Sequence, residues 1–250
     1  MVAIDWLLQA GFRIRGTTTA VAIDPYLSND CEEIYGLQRR RDAPVPAEQL
    51  DVRAVCVSHW HEDHLDLPTV QTLLDAGSVL VAPPSCVARL EGRGADPSLL
   101  EPILVGQTVT IGDASITAVP ARHAVPGYLT EDAVGYVVEL DGARIYHSGD
   151  TDYDRSLLEA GVGTLDVALV CINGAGGNMN PVEAAALTAQ LRPRTVVGMH
   201  IGLWTDARYG PGATTDPARF AELCAAIAPE TRVVVADADV PLEVGSATSV

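Results

Sequence analysis

Lysine is missing from this chain: all 16 basic residues among its 250 are arginine. Three kinds of chemistry go with it. A Walker-A phosphate loop, a Schiff-base catalyst and a Ser–Lys dyad each need an ammonium group. A long apolar run is missing too. None reaches the roughly 18 residues a membrane span requires, so no membrane partner is expected. Met1-Val2-Ala3-Ile4-Asp5-Trp6 lacks the basic start and apolar stretch of a signal peptide, and a cytoplasmic location is the expectation. Cysteine is sparse and scattered: Cys31, Cys56, Cys86, Cys171 and Cys224 form no C-x-x-C pair, and an odd number cannot all pair within one chain. Cys56, Cys171 and Cys224 sit in apolar stretches and read as small buried hydrophobes. Positive charge is scarce as well. A net charge of −17 argues against a nucleic acid polymer as partner.

What remains is an ordinary globular composition, 48% apolar and 20% charged. Short apolar runs alternate with amphipathic stretches, without a linker, a low-complexity tract or a solenoid repeat. Residues 1–250 therefore read as a single α/β domain, which leaves a homo-oligomer open. Strands are predicted at Phe12 to Arg15, Thr19 to Asp24, Arg53 to Val57, Val79 to Ala82, Thr108 to Ile111, Ser115 to Val119, Val134 to Leu140 and Ala143 to His147. Later ones fall at Asp166 to Cys171, Arg194 to Met199 and Arg232 to Ala236. Helices are predicted after Asp66, after Asp154, after Asn180 (where Asn180-Pro181-Val182-Glu183 resembles a capping box) and after Asp216. The span 25–50 shows no periodicity, as a functional loop would.

The six histidines carry the chemistry. His59, His61 and His64 fall within six residues of one another, with Asp63 between. In an extended segment, His59 and His61 point to the same side, so both imidazoles can bind one ion. Asp63 and His64 follow where the chain bends toward a helix, beside a second ion. His123, Asp150 and His200 each follow a predicted strand, and strand ends on one sheet edge are where α/β sites assemble. A surface cluster of hydrogen-bonded histidines is the blander reading; the convergence of strand ends favours metal. His147, just before the Ser148-Gly149-Asp150 turn, reads as a packing or hydrogen-bonding residue.

His59-x-His61-x-Asp63-His64, then His123, then Ser148-Gly149-Asp150-Thr151, then His200, resembles the motif series of the metallo-β-lactamase superfamily, in order across residues 59–200. Ala22-Ile23-Asp24-Pro25 is similar to that group's early strand ending in Asp. Tyr146-His147-Ser148-Gly149-Asp150, Gly177-Asn178-Met179-Asn180 with Glu183, and Gly198-Met199-His200 resemble the L-ascorbate-6-phosphate lactonase-like branch. The resemblance implies a four-layer αβ/βα sandwich with the metals at one edge of paired sheets. It also implies that His59, His61 and His123 form one metal site and Asp63, His64 and His200 a second, bridged by Asp150. Two divalent ions are expected, zinc first and manganese as the alternative, because such a ligand set accepts several ions; single occupancy stays open, since some lactonase-like members look mononuclear.

The expected reaction follows from charge. A metal-bound hydroxide, available at neutral pH, attacks a carbonyl or phosphoryl centre, and Asp63 orients it or takes its proton. Two ions against Asp63 and Asp150 leave about +2 locally, so an anionic substrate is acceptable. A metal-dependent hydrolase opening a small cyclic ester, with or without a phosphate, is the leading reading; a phosphodiesterase acting on a small or cyclic phosphodiester is the alternative. Arg122, Tyr153, Asn180 and Arg208 lie near the ligand loops and are candidates for substrate contact, as Arg122 and Arg208 could hold an anion bidentately. Arg155 could hold such an anion as well, and Trp60, Tyr128, Tyr153 and Trp204 are weaker candidates for the pocket wall.

Overall fold

The computed structural model describes residues 1–125, 128–161, 163–206 and 216–245. Short runs of β-branched and small apolar residues form two seven-stranded sheets. The first collects β1 (Val2–Trp6), β2 (Phe12–Arg15), β3 (Ala20–Ile23), β4 (Ala54–Cys56), β5 (Val79–Ala82) and β6 (Leu100–Pro102). The second begins with β7 (Thr108–Ile111) and β8 (Ala114–Pro120), and a small hairpin of β9 (Ala124–Val125) and β10 (Tyr128–Leu129) follows. It continues with β11 (Val134–Leu140), β12 (Ala143–His147), β13 (Val167–Cys171), β14 (Thr195–Met199) and β15 (Arg232–Val234). A last strand, β16 (Leu242–Val244), returns to the first sheet beside β1.

The strand orders are β16-β1-β2-β3-β4-β5-β6 and β15-β14-β13-β12-β11-β8-β7. Each sheet is antiparallel at one end and becomes parallel: from β3 onward in the first, from β12 onward in the second. The pairing fixes which strands end together. In the first sheet β1, β3 and β4 run the same way; in the second β8, β12, β13 and β14 do. Every ligand-type residue follows one of these seven strands.

One core cluster joins the inner faces, with Ile4, Phe12, Ile14 and Ile23 against Ile116, Tyr136, Val138 and Leu169. The same cluster runs on to Leu187 and Leu191 of helix Pro181–Leu191 and Phe220 of helix Pro217–Ile227. A second cluster packs the outer face of the first sheet, through Val55 and Leu80, against Val70 and Leu73 of helix Leu67–Asp75 and Val87 and Leu90 of helix Pro84–Glu91. Helices, sheet, sheet, helices: this is the αβ/βα sandwich.

Several local features depart from the sequence reading, among them the short strands Leu100–Pro102 and Leu242–Val244. Val2–Trp6 is a strand and Pro84–Glu91 a helix, although neither was expected; Pro83-Pro84 looks like a breaker but places proline at the first helical position, where it is tolerated. The aperiodic span 25–50 holds a short helix, Asp30–Tyr35, and a 3-10 turn at Ala47–Gln49. It is tied down by Arg39, whose guanidinium donates to the carbonyls of Tyr26 and Ser28, and by Trp204 packed edge-on against Tyr26. The segment after Asp154 is a 3-10 helix, Arg155–Gly161, started by Ser156 N–H donating to the Asp154 carboxylate.

Candidate metal centre

The β4 strand delivers Ser58 and His59 to the shared edge, and the turn that follows brings His61, Asp63 and His64 before helix Leu67–Asp75 begins. His59 Nε2 lies 2.9 Å from His61 Nδ1, and His123 Nε2 lies 3.2 Å from the same atom. His61 Nδ1 carries either one proton or one lone pair, so it cannot make a good hydrogen bond to both neighbours at once. Converging lone pairs are what a cation would hold apart. Across the gap, Asp150 Oδ1 is 3.3 Å from His64 Nε2 and Asp150 Oδ2 is 3.2 Å from His200 Nε2, with His123 Nε2 3.8 Å away. His200 Nε2 also lies 3.3 Å from Asp63 Oδ2. Ligand atoms of His59, His61 and His123, of His59, His64 and Asp150, and of Asp63, His64 and His200 form three groups, each within 4.8 Å. All seven sequence-predicted ligands therefore meet in one place.

Electrostatics divide the cluster. Burial drives the His61 imidazole down to about 4 and holds His59 well below its usual range, helped by the nearby His64; burial also lowers His123. For His64 and His200, burial opposes the charge but the carboxylates win. Asp150, Asp63 and Asp24 push His64 well above its ordinary value, and Asp150 and Asp63 bring His200 to about 9. Burial likewise opposes the charge on Asp63 and Asp150, and His64 and His200 overcome it, holding both carboxyls below the usual carboxylate range.

A divalent cation fits. His64 Nδ1 is 2.8 Å from Asp24 Oδ2, which leaves Nε2 facing the cluster, fully buried and without a hydrogen bond. Asp150 Oδ1 is buried and lacks one as well. Without an ion the two face each other at 3.3 Å with no aligned hydrogen bond between them, an arrangement that a cation bound by both would satisfy. A carboxylate orienting an imidazole from behind, as Asp24 does here, is the usual support of a metal-binding histidine. Asp24 also accepts from Ser58 N–H at 2.7 Å and Ser58 Oγ–H at 2.6 Å. The nitrogen and oxygen donors suit zinc or manganese.

The backbone is strained at the same place. Gln9, Asp24 and His200 adopt φ of 50°, 46° and 63°, which side-chain-bearing residues rarely do. Each costs roughly 1–3 kcal/mol, held only because the surroundings over-determine it. Gly149, at φ 59°, turns the chain between β12 and Asp150; a Cβ there would stand 2.8 Å from Val134 O.

A cavity of about 390 Å³ opens over His61, Asp63, His123, Asp150 and His200. Its other walls are Cys31, Tyr35 and Leu37 from the span 25–50, Glu62, Asn173 to Asn178 in part, and Trp204. Three of the proposed substrate residues, Arg122, Tyr153 and Asn180, lie elsewhere. Arg122 is 66% exposed at its side chain, 3.8 Å from Asp154, behind His123. Tyr153 OH accepts from Gln190, and Asn180 is occupied by its capping box, accepting from Val182 and Glu183. Arg208 lies outside the described residues, as does the Tyr128 side chain. Trp60 is outside the cavity, stacked under the Arg89 guanidinium. Trp204 does line it. His147 is structural: its Nε2 meets Ala10 O at 2.8 Å and its Nδ1 accepts from Gly149 N–H. All five cysteines are buried free thiols. Gln9, Ser58 and Asn173 were not marked by the sequence, and Asn178 was marked only as part of the Gly177–Asn180 motif; Gln9 Nε2 donates to Asp63 Oδ2 at 3.0 Å.

Residues 19–201 match the β-lactamase superfamily domain. The chain belongs to this superfamily. It is 32% identical over 227 residues to a UPF0173 metal-dependent hydrolase of Thermococcus kodakarensis, covering 89% of this chain and 92% of that protein. It is thus a metal-dependent hydrolase of the metallo-β-lactamase superfamily. Igni18, a metallo hydrolase from Ignicoccus hospitalis, superposes with a TM-score of 0.75 at 22% identity, covering 96% of this chain and 97% of its own. The fold alone does not choose the chemistry: CmlA, a diiron β-hydroxylase from Streptomyces venezuelae, shares it with a TM-score of 0.70 at 14% identity, over 94% of this chain and 52% of CmlA. Among the described residues, no helix is long and apolar enough to cross a membrane.

Proposed function

We propose that this hydrolase opens a small cyclic ester, most simply a lactone, over a pair of divalent ions held by His59, His61 and His123 on one side and Asp63, His64 and His200 on the other, with Asp150 between. The observation that carries this reading is the cavity of about 390 Å³ directly above both ligand groups, the size of a small molecule. Two zinc or manganese ions would supply a polarised carbonyl and a water acidic enough to attack it at neutral pH. The chain's own part is positional. Asp63, engaged by Gln9 at Oδ2, keeps Oδ1 to orient the attacking water or take its proton. Leu37 and Trp204 give an apolar wall that excludes bulk water, and Asn173 and Asn178 offer buried Oδ1 acceptors to substrate hydroxyl or amide donors.

The described lining contains no arginine, so a phosphate on the substrate would rely on the ions for its charge. That favours an uncharged ester over the alternative, a small cyclic phosphodiester. The test is a panel of lactones and cyclic phosphodiesters offered to the purified protein at fixed zinc or manganese content. Lactone opening that disappears in His61→Ala is the expected result. Diester cleavage without turnover of any lactone would sink the reading.

A further inference from the structure

We propose that Gln9 is a positioning residue that builds the Asp63–His64–His200 metal half-site, and that removing its amide weakens that half-site while sparing the one formed by His59, His61 and His123. The inference concerns ion binding and stands whether or not the substrate is a lactone.

Gln9 comes from the turn after β1, one of the strands that end at the site edge. Its side chain is buried, and its Nε2 donates to Asp63 Oδ2 at 3.0 Å. The same nitrogen lies 3.2 Å from His200 Nδ1 and 3.4 Å from His200 Nε2. An atom nearly equidistant from both ring nitrogens sits over the ring between them, not in line with either lone pair. It fixes the imidazole without consuming the nitrogen that faces Asp150. The main chain repeats the link: His200 N–H donates to Gln9 O at 3.0 Å, and Trp6 Nε1–H donates to the same oxygen at 3.1 Å. One residue thus touches a ligand from each sheet, Asp63 after β4 and His200 after β14.

The chemistry of the amide matters. Asp63 and Asp150 both lie close to His200 Nε2, and two neighbouring carboxylates repel each other until a positive charge is between them. An arginine at position 9 would quench that negative field and compete with the ion. A carboxamide donates one hydrogen bond, aligns Asp63 and adds no charge. It also leaves Asp63 Oδ1 open. In the other half-site His59 is supported by Ser58, with Ser58 Oγ 3.0 Å from His59 Nδ1.

The experiment is zinc titration of the full-length protein against a chromophoric chelator, which reads each ion's affinity without turnover. Gln9→Met keeps the side-chain length and removes only the polar end; Gln9→Ala removes both. Support partners of metal ligands typically contribute 10–100-fold in affinity. The weaker of two zinc ions should bind about tenfold or more less tightly in Gln9→Met, with the other unchanged. Repeating the titration in a His61→Ala background assigns the affected ion, since the remaining site should still respond to Gln9→Met. If Gln9→Ala fails to fold, Gln9→Met decides alone. Equal weakening of both ions, no weakening, or a remaining site in His61→Ala that ignores Gln9→Met would each overturn the assignment.

Discussion

The two halves of the metal centre are built from opposite electrostatic materials. On one side stand three histidines, His59, His61 and His123, which burial keeps neutral, so their lone pairs are open at neutral pH. On the other, His64 and His200 stand among Asp24, Asp63 and Asp150 and hold protons well into the alkaline range. The first half waits for an ion with nothing to release. The second must exchange protons for its ion, and in return supplies the negative charge that balances both. On the proposed two-ion reading, two chemically identical ions would bind with different affinities and different pH dependence.

Asp150 lies between the halves, reaching His64 and His200 closely and His123 at 3.8 Å. Replacing it should therefore erase the contrast. Asp150→Ala is expected to lower hydrolysis on the order of 10³-fold, the scale of losing a group that acts directly on developing charge. Elemental analysis should show both ions depleted. Loss of one ion only would place Asp150 in one half and break the symmetry of its role.

Acidity separates the halves next. Each proton displaced by an ion makes its affinity change about tenfold per pH unit. With His200 at about 9 and His64 also raised, the second ion should weaken by roughly 100-fold for each unit between pH 8 and 6, two protons being displaced. The first ion should bind equally well across that range, because His61 takes a proton only at about 4. Calorimetric titration in buffers of different ionisation enthalpy counts these protons directly. The chelated protein has a matching signature. Unfolded histidines take up protons below about 6.5, whereas folded His61 resists until about 4, so stability falls as pH drops through that window. His200 works the other way: its folded value is raised, so its contribution is full below about 6.5 and is lost as pH rises through about 9. Thermal melting should peak near pH 6.5 and move upward in pH once zinc is added.

The support behind each half gives a smaller effect. Asp24 stands behind His64 and accepts two hydrogen bonds from Ser58, so Asp24→Asn should cost 10–100-fold in affinity for the second ion. Zinc competition at pH 8 would show it. An equal loss for the first ion would mean that Asp24 acts through Ser58 and His59 as much as through His64.

How much of this was legible in the sequence follows from what kind of interaction places each residue. The clustering of these residues was legible because the segment from His59 to His64, His123, Asp150 and His200 all follow strands whose apolar runs are visible, and strand direction alone sends His123, Asp150 and His200 to the edge where His59 emerges. The Asn180 capping box was legible because it is a contact over three residues. Gln9 was not: its partners lie 54 and 191 residues away, and nothing local marks a glutamine in a left-handed turn. Strand β1 was hidden by its length, five residues including Asp5, whose charge is taken up by Arg13 and Arg15 on β2. Proximity in sequence misled for Tyr153 and Asn180. Both lie close along the chain to a ligand or to the cavity wall, but their side chains are spent on Gln190 and on the helix end.

Arg122 shares that fate and makes the finest test of the contrast. It precedes the ligand His123 by one residue, and in an extended chain neighbouring side chains point to opposite sides. His123 turns into the cluster; Arg122 turns out, toward Asp154 at 3.8 Å, with two thirds of its side chain in solvent. An exposed pair at that distance contributes at most about 1 kcal/mol. Arg122→Ala should therefore leave both ion affinities unchanged and alter kcat/KM by less than about threefold for an uncharged ester. A phosphorylated substrate sharpens the comparison. If its KM rises more than about tenfold in Arg122→Ala while the uncharged ester is unaffected, the substrate's anion extends past His123 onto this outer face, and the region the geometry assigns to solvent is part of the binding site.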